Sequence, residues 1–258
     1  MILSLVRQKI IYTFIVIMVA IYPLQAERPM FIDDPNVSPY RVLTLEIGNH
    51  FDILRSAERP ARYINWFDLN LVYGIARDYE LSVHVPAGVL IYESDAPDRS
   101  EFGSDDFSIA LKRIWHTADE RWGFGVEGRL FFPVESTPVL GSGKEGFWVN
   151  SMADITTGGW IIRMALGFMS PFDTTNEGAV MAGVALRTDF HPARFGFIEL
   201  YTESPVTSTG EEFPLNVMIG GGLGVYENAI LDLGILVGLT DSTVFPGVGL
   251  HAGITIEI

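Results

Sequence analysis

The chain has 258 residues, of which 48% are hydrophobic, with a formal net charge of −15 and no cysteine. That acidity argues against a nucleic-acid partner, because phosphate binding needs a basic footprint. Without cysteine there is no disulfide framework, no thiolate metal site and no thiol nucleophile.

Met1 to Lys9 is a basic start, Ile10 to Tyr22 is an apolar run of 13 residues, and Pro23-Leu24-Gln25-Ala26 ends on a small residue. This order predicts a secretory signal peptide over 1–26, since the apolar run falls short of the ~20 residues of a helical membrane span. Removal of Arg7 and Lys9 with it takes the net charge to −17. Residues 27–41 hold three prolines and no alternation, and they read as an irregular periplasmic leader. The leader either hangs free in the periplasm or folds into the mouth of the domain after it.

From Val42 apolar and polar residues alternate, and a period of two is a strand signal. Val42–Leu54 sets Leu43, Leu45, Ile47, Phe51 and Ile53 on one face and Thr44, Glu46, His50 and Asp52 on the other. Residues 55–64 read as a polar loop. Strands near 65–75 and 80–92 then flank Ala76-Arg77-Asp78, with Asp68, Glu80, Ser82 and His84 on the polar face. Residues 93–104 read as a long acidic loop. Further strands are predicted over 105–115, 122–132, 147–155, 160–169, 179–190, 195–203, 215–226, 230–240 and 248–258.

That makes twelve strands whose connections are short and long in turn. An even strand number, short periplasmic turns and long external loops predict an all-β fold: a transmembrane antiparallel up-and-down β-barrel over 42–258. Both termini would lie in the periplasm. Aromatic pairs bracket the short turns (Tyr73 and Tyr79, Trp115 and Trp122, Phe190 and Phe195), and Phe67, Phe107, Phe132, Phe147, Phe168 and Phe172 stand near the long loops. Two belts of rings at the two interfaces fit a membrane barrel.

The charged residues of the polar face are the expected lumen lining: Glu46, His50, Asp68, Glu80, His84, Lys112, Glu127, Arg129, Arg163, Arg187, Asp232 and His251. An Arg or Lys facing lipid at midplane would cost ~2–4 kcal/mol, so these side chains belong inside. They either cross-brace the lumen as ion pairs or line a selective path with Arg129, Arg163 and Arg187 as cationic rungs. His50 and His251 lie on the first and last strands, which must meet to close the barrel. They are either a pH- or metal-sensitive pair or two unrelated histidines. No metal-ligand spacing stands out, and Gly220-Gly221-Gly222-Leu223-Gly224 has no following helix, so it is no phosphate loop. No cofactor is expected. Ser82 and His84 share the inward face, and a His-x-Ser order is absent, which argues against a lipid-modifying enzyme.

Three stretches resemble the family of outer-membrane transporters named for the meta-pathway of phenol degradation. They are Arg28-Pro29 with Asp33-Asp34, the run Leu69 to Pro86 with its Tyr73-Gly74 and Val85-Pro86, and Gly103 to Phe107 followed by Leu111-Lys112-Arg113. The resemblance implies a β-barrel that passes hydrophobic or aromatic compounds. Its expected partners are outer-membrane lipid, the assembly machinery and a small apolar solute. Barrels of that kind usually end in an aromatic residue, whereas this chain ends in Ile258. A closed barrel whose loops bind a partner, and a soluble periplasmic barrel, are the other readings of the same alternation. A membrane barrel should migrate differently on gels before and after boiling; unchanged migration would count against it.

Overall fold

The computed structural model describes residues 36–56, 59–93, 96–103, 106–134, 144–172, 178–191, 194–205, 214–240 and 247–258. The signal segment 1–26 and the leader as far as residue 35 lie outside them. The strands are β1 (Leu43–Ser56), β2 (Arg59–Ala76), β3 (Tyr79–Glu93), β4 (Ala96–Gly103), β5 (Phe107–His116), β6 (Trp122–Phe132) and β7 (Gly146–Thr157). They continue as β8 (Trp160–Pro171), β9 (Ala179–His191), β10 (Arg194–Pro205), β11 (Leu215–Tyr226), β12 (Ala229–Gly238) and β13 (Val248–Glu257).

All strand pairings are antiparallel and, β4 and β5 apart, join strands that are neighbours in the chain; β1 pairs with β13 from Thr44↔Glu257 to Ile53↔Val248. β3 passes over β4 to pair with β5 through Tyr79–His84. Twelve strands thus form a closed all-β barrel, and β4 stands outside the ring, paired with β3 alone. Closure leaves no wall strand with an unpaired edge, which hydrocarbon would not tolerate. The shortest wall strands have 10 residues, and a tilted transmembrane strand needs ~9–11. Among the described residues no helix is long and apolar enough to cross a membrane.

Two stretches expected as loops are strand. Residues 59–64 begin β2, facing β1 through Leu54↔Arg62 and Ser56↔Arg59. Residues 96–103, inside the expected acidic loop, are β4, paired through Val89↔Gly103 to Tyr92↔Ser100. Beyond a bilayer neither face of a strand has to be apolar, so these extensions lack the alternation that marks a wall strand. Pro97 sits in β4, which has a free edge where a missing amide costs no ladder bond.

Side-chain direction follows the period of two. Ile47, Phe67, Leu111, Leu130, Leu166, Val184, Ile198, Ile219, Leu233 and Leu250 point out and are exposed. An apolar band this continuous is far larger than the few hundred Å2 a water-soluble surface carries, and lipid is the environment that suits it. Tyr73, Trp115, Trp122, Trp160 and Tyr226 are exposed near the short turns, and Phe147 stacks with Phe172 and meets Phe168 at a tilt near the long connections. One expected belt member is misplaced: Phe195 is buried inside the barrel, while its supposed partner Phe190 is 74% exposed.

Phe195 and Phe197 explain the glycines of β11. Their neighbours across β10 and β11 are Gly222 and Gly220. A Cβ at Gly222 would collide with the Phe195 ring, and one at Gly220 would come within 2.7 Å of the Phe197 ring. The missing side chains are the space in which the rings lie. Replacing Gly222 by leucine should therefore overpack the lumen and destabilise the barrel by about 1–3 kcal/mol. The check is the urea midpoint of gel-shift unfolding; an unchanged midpoint would contradict this packing.

Candidate functional site: the barrel lumen

The inward faces of the strands converge on one interior. Lys112, Arg163, Glu199, Met218, Leu236 and His251 come from β5, β8, β10, β11, β12 and β13, and each is at most 1% exposed. Mid-lumen is therefore filled by side chains rather than by open solvent. Eight strands enclose just enough room for side chains and sixteen leave an aqueous channel, so a filled twelve-stranded interior needs large residues.

Charged side chains reach this interior from strands all round the wall. On β1, Glu46 accepts a hydrogen bond from Asn70 Nδ2 at 2.8 Å. Lys112 Nζ lies 3.7 Å from Glu80 Oε1. Arg129 binds Glu127 through Nη2 at 2.8 Å and Nε at 3.0 Å, and its guanidinium covers the Trp148 ring. Arg163 is buried opposite Asp154, which accepts the Gly123 amide at 3.1 Å. Arg187 pairs with Asp189 at 3.0 Å and lies over the Phe195 ring. Asp232 is buried, facing Gly253.

His50 and His251 are brought together by the seam. Their Nδ1 atoms are 2.8 Å apart, so one ring donates and the other accepts. His251 Nε2 lies 3.1 Å from Asp52 Oδ1. His50 Nε2 lies 3.5 Å from Asp68 Oδ1, and His84 Nε2 lies 3.6 Å from Asp68 Oδ2. Five titratable groups from β1, β2, β3 and β13 thus stand in series, with Trp66 set edge-on against His50. With Nε2–H of His251 donating to Asp52, its Nδ1 accepts from His50. Among the described residues no group of three or more His, Asp and Glu is placed to hold a metal ion.

Among the charges of β7 to β12 lies an apolar cluster that the alternation did not announce. Met152, Ala165, Ala185, Phe195, Phe197, Tyr201, Met218, Ile230 and Leu236, on β7 to β12, form one buried cluster. Glu199 and Glu203, also unforeseen, share the inward face of β10 with Phe195, Phe197 and Tyr201. The signal was present: a glutamate must face inward, and period two carries Phe195, Phe197 and Tyr201 with it.

At the short-turn end the leader enters the barrel. Ser38 donates its amide to Glu80 Oε2 at 2.8 Å, and its hydroxyl lies 3.0 Å from Thr44 Oγ1. Arg41, with φ of 67°, turns the chain into β1, and its amide binds the Gly74 carbonyl at 2.8 Å. Any Cβ at Gly74 would collide with the Pro39 carbonyl, so the glycine is the notch in which the leader rests. Residues 36–41 therefore fold into the mouth. Beside them is a cavity of about 700 Å3, lined by leader residues and by Glu46, Glu80, Ile114 and Glu257. At its rim, the Thr117 hydroxyl and the Arg121 amide donate to Asp119 and hold that carboxyl below its ordinary range.

No protein-family model matches the sequence, and no curated protein matches it. Likeness is found in solved structures. The COG4313 outer membrane channel from Pseudomonas putida F1 superposes with a TM-score of 0.71 at 10% identity, covering 91% of this chain and 100% of that one. A KdgM porin gives 0.54 at 6% identity, covering 83% and 99%. The translocator domain of the autotransporter NalP from Neisseria meningitidis gives 0.54 at 7% identity, covering 86% and 90%. The fold is that of bacterial outer-membrane β-barrels.

Removing one member of a buried pair should cost more than removing both. Lys112→Met strands Glu80 and should destabilise by about 3–5 kcal/mol, whereas K112M with Glu80→Met should recover most of the loss. Urea unfolding of the three proteins in micelles checks this; equal loss in the single and double variants would contradict the pairing.

Proposed function

We propose that this protein is an outer-membrane channel for small molecules, hydrophobic or aromatic ones by preference. The observation that carries the reading is the apolar cluster inside the lumen. Met152, Phe195, Phe197, Met218 and Leu236 are buried together on β7 to β12, among the charged Arg163, Glu199 and Asp232. Side-chain filling suits a narrow, selective passage and argues against a wide aqueous pore. An aromatic solute gains contact with methionine and phenylalanine that an ion does not, about 1.5–3 kcal/mol for each side chain fully covered. The likeness to an outer membrane channel and a porin supports the same class.

The apolar outer band would sit in outer-membrane lipid. The outer-membrane assembly machinery would be a second partner. An enzyme reading has little support, since Ser82 is buried on the inward face and His84 faces Asp68.

In planar bilayers the protein should give small, discrete conductance steps, and in liposomes it should admit a neutral aromatic probe such as toluene. Met218→Glu should slow toluene entry about tenfold, a change of about 1.4 kcal/mol. Absence of both conductance and uptake would discard the channel reading. Unaltered uptake in the variant would discard the apolar cluster as the path.

A further inference from the structure

We infer that the cavity at the short-turn rim is a binding site for a small organic cation with an apolar body, anchored by Glu257. Its volume of about 700 Å3 lies within the ~300–1,000 Å3 typical of small-molecule sites. Three buried carboxylates line it: Glu46, Glu80 and Glu257. Two of them have partners. Asn70 donates to Glu46, while Glu80 takes the Ser38 amide and faces Lys112. Glu257 is different. It is only 7% exposed, and its Oε2 has no hydrogen-bond partner.

A buried carboxylate without a donor has lost its hydration and gained nothing in exchange, so an arriving cation is held strongly. The cation is not a metal ion. Calcium takes six to eight oxygen ligands, and no suitable group of Asp, Glu and His exists among the described residues. A protonated amine needs only one carboxylate oxygen, which Glu257 Oε2 supplies. Its apolar body would lie on Val72 and Ile114, both buried and both lining the cavity. Anions are disfavoured, because Asp78 and Glu120 add negative charge at the rim against Arg77 and His116. The docked leader forms one wall, so the site requires residues 36–39 in place.

The test is calorimetric titration of the whole protein in micelles with benzylamine, with benzyl alcohol as its uncharged counterpart, and with calcium chloride. Benzylamine should bind saturably, and benzyl alcohol at least about tenfold more weakly. Glu257→Gln should erase that preference while the protein keeps its heat-modifiable migration. Equal binding of amine and alcohol by the unaltered protein, preferred binding of calcium, absence of saturation, or an unchanged preference in E257Q would each overturn the site. The comparison of amine with alcohol needs no variant, so it decides even if E257Q fails to fold. Binding is read without reference to conduction, so a silent channel would leave this result standing.

Discussion

Backbone closure is the constraint on which the rest depends. A strand whose outward side chains are leucine, isoleucine and phenylalanine stands in hydrocarbon, where an unpaired amide or carbonyl costs several kcal/mol. Antiparallel pairing satisfies such a strand only if both of its edges are covered. The ring must therefore close, and β1 must find β13 in register. Everything inside follows from that meeting. The register that pairs Phe51 with Leu250 on the outside pairs His50 with His251 within, 201 residues apart in the chain.

Closure also fixes how charge is distributed. Inward positions cannot all be charged, because each buried ion needs a partner to offset its lost hydration. The lumen resolves this by pairing and by interleaving. The histidine–carboxylate series and the Lys112–Glu80 and Arg129–Glu127 pairs occupy the seam and the strands as far as β6, while β7 to β12 carry methionine and phenylalanine among Asp154, Arg163, Glu199 and Asp232. Arg187 joins the two kinds of contact, with its guanidinium bonded to Asp189 and spread over Phe195. Glycine on β11 and the leader notch at Gly74 complete the fit by leaving space where a ring or a backbone carbonyl comes close.

Much of this was legible in the sequence, for a physical reason. Where one face meets lipid and the other meets charge, the alternation is sharp, as in Phe107 to Trp115 or Trp122 to Leu130, and strand count and closure follow. Legibility fails where that contrast disappears. Residues 59–64 set Pro60 and Ala61 between two arginines, and Asp98 to Glu101 are polar or charged at every position, so pairing with a neighbour decided their structure. Phe195-Gly196-Phe197-Ile198 is apolar on both faces, so phase was hidden until Glu199 is used to set it. The contact of His50 with His251 depends on shear, which no local pattern encodes. The docking of Ser38 onto Glu80 is likewise a long-range contact between an irregular segment and a strand.

The central claim is that period two sorts every wall residue to lipid or to a filled lumen. It is tested most directly on β12, because the chain has no cysteine to interfere. Single cysteines at Leu233, Gly234, Ile235 and Leu236 would be spin-labelled in liposomes and probed with oxygen and a water-soluble nickel complex. Positions 233 and 235 should be open to oxygen in the lipid, and 234 and 236 should be shielded from both reagents. Uniform accessibility along the four positions, or a Leu236 label that meets oxygen as readily as one at Leu233, would contradict it.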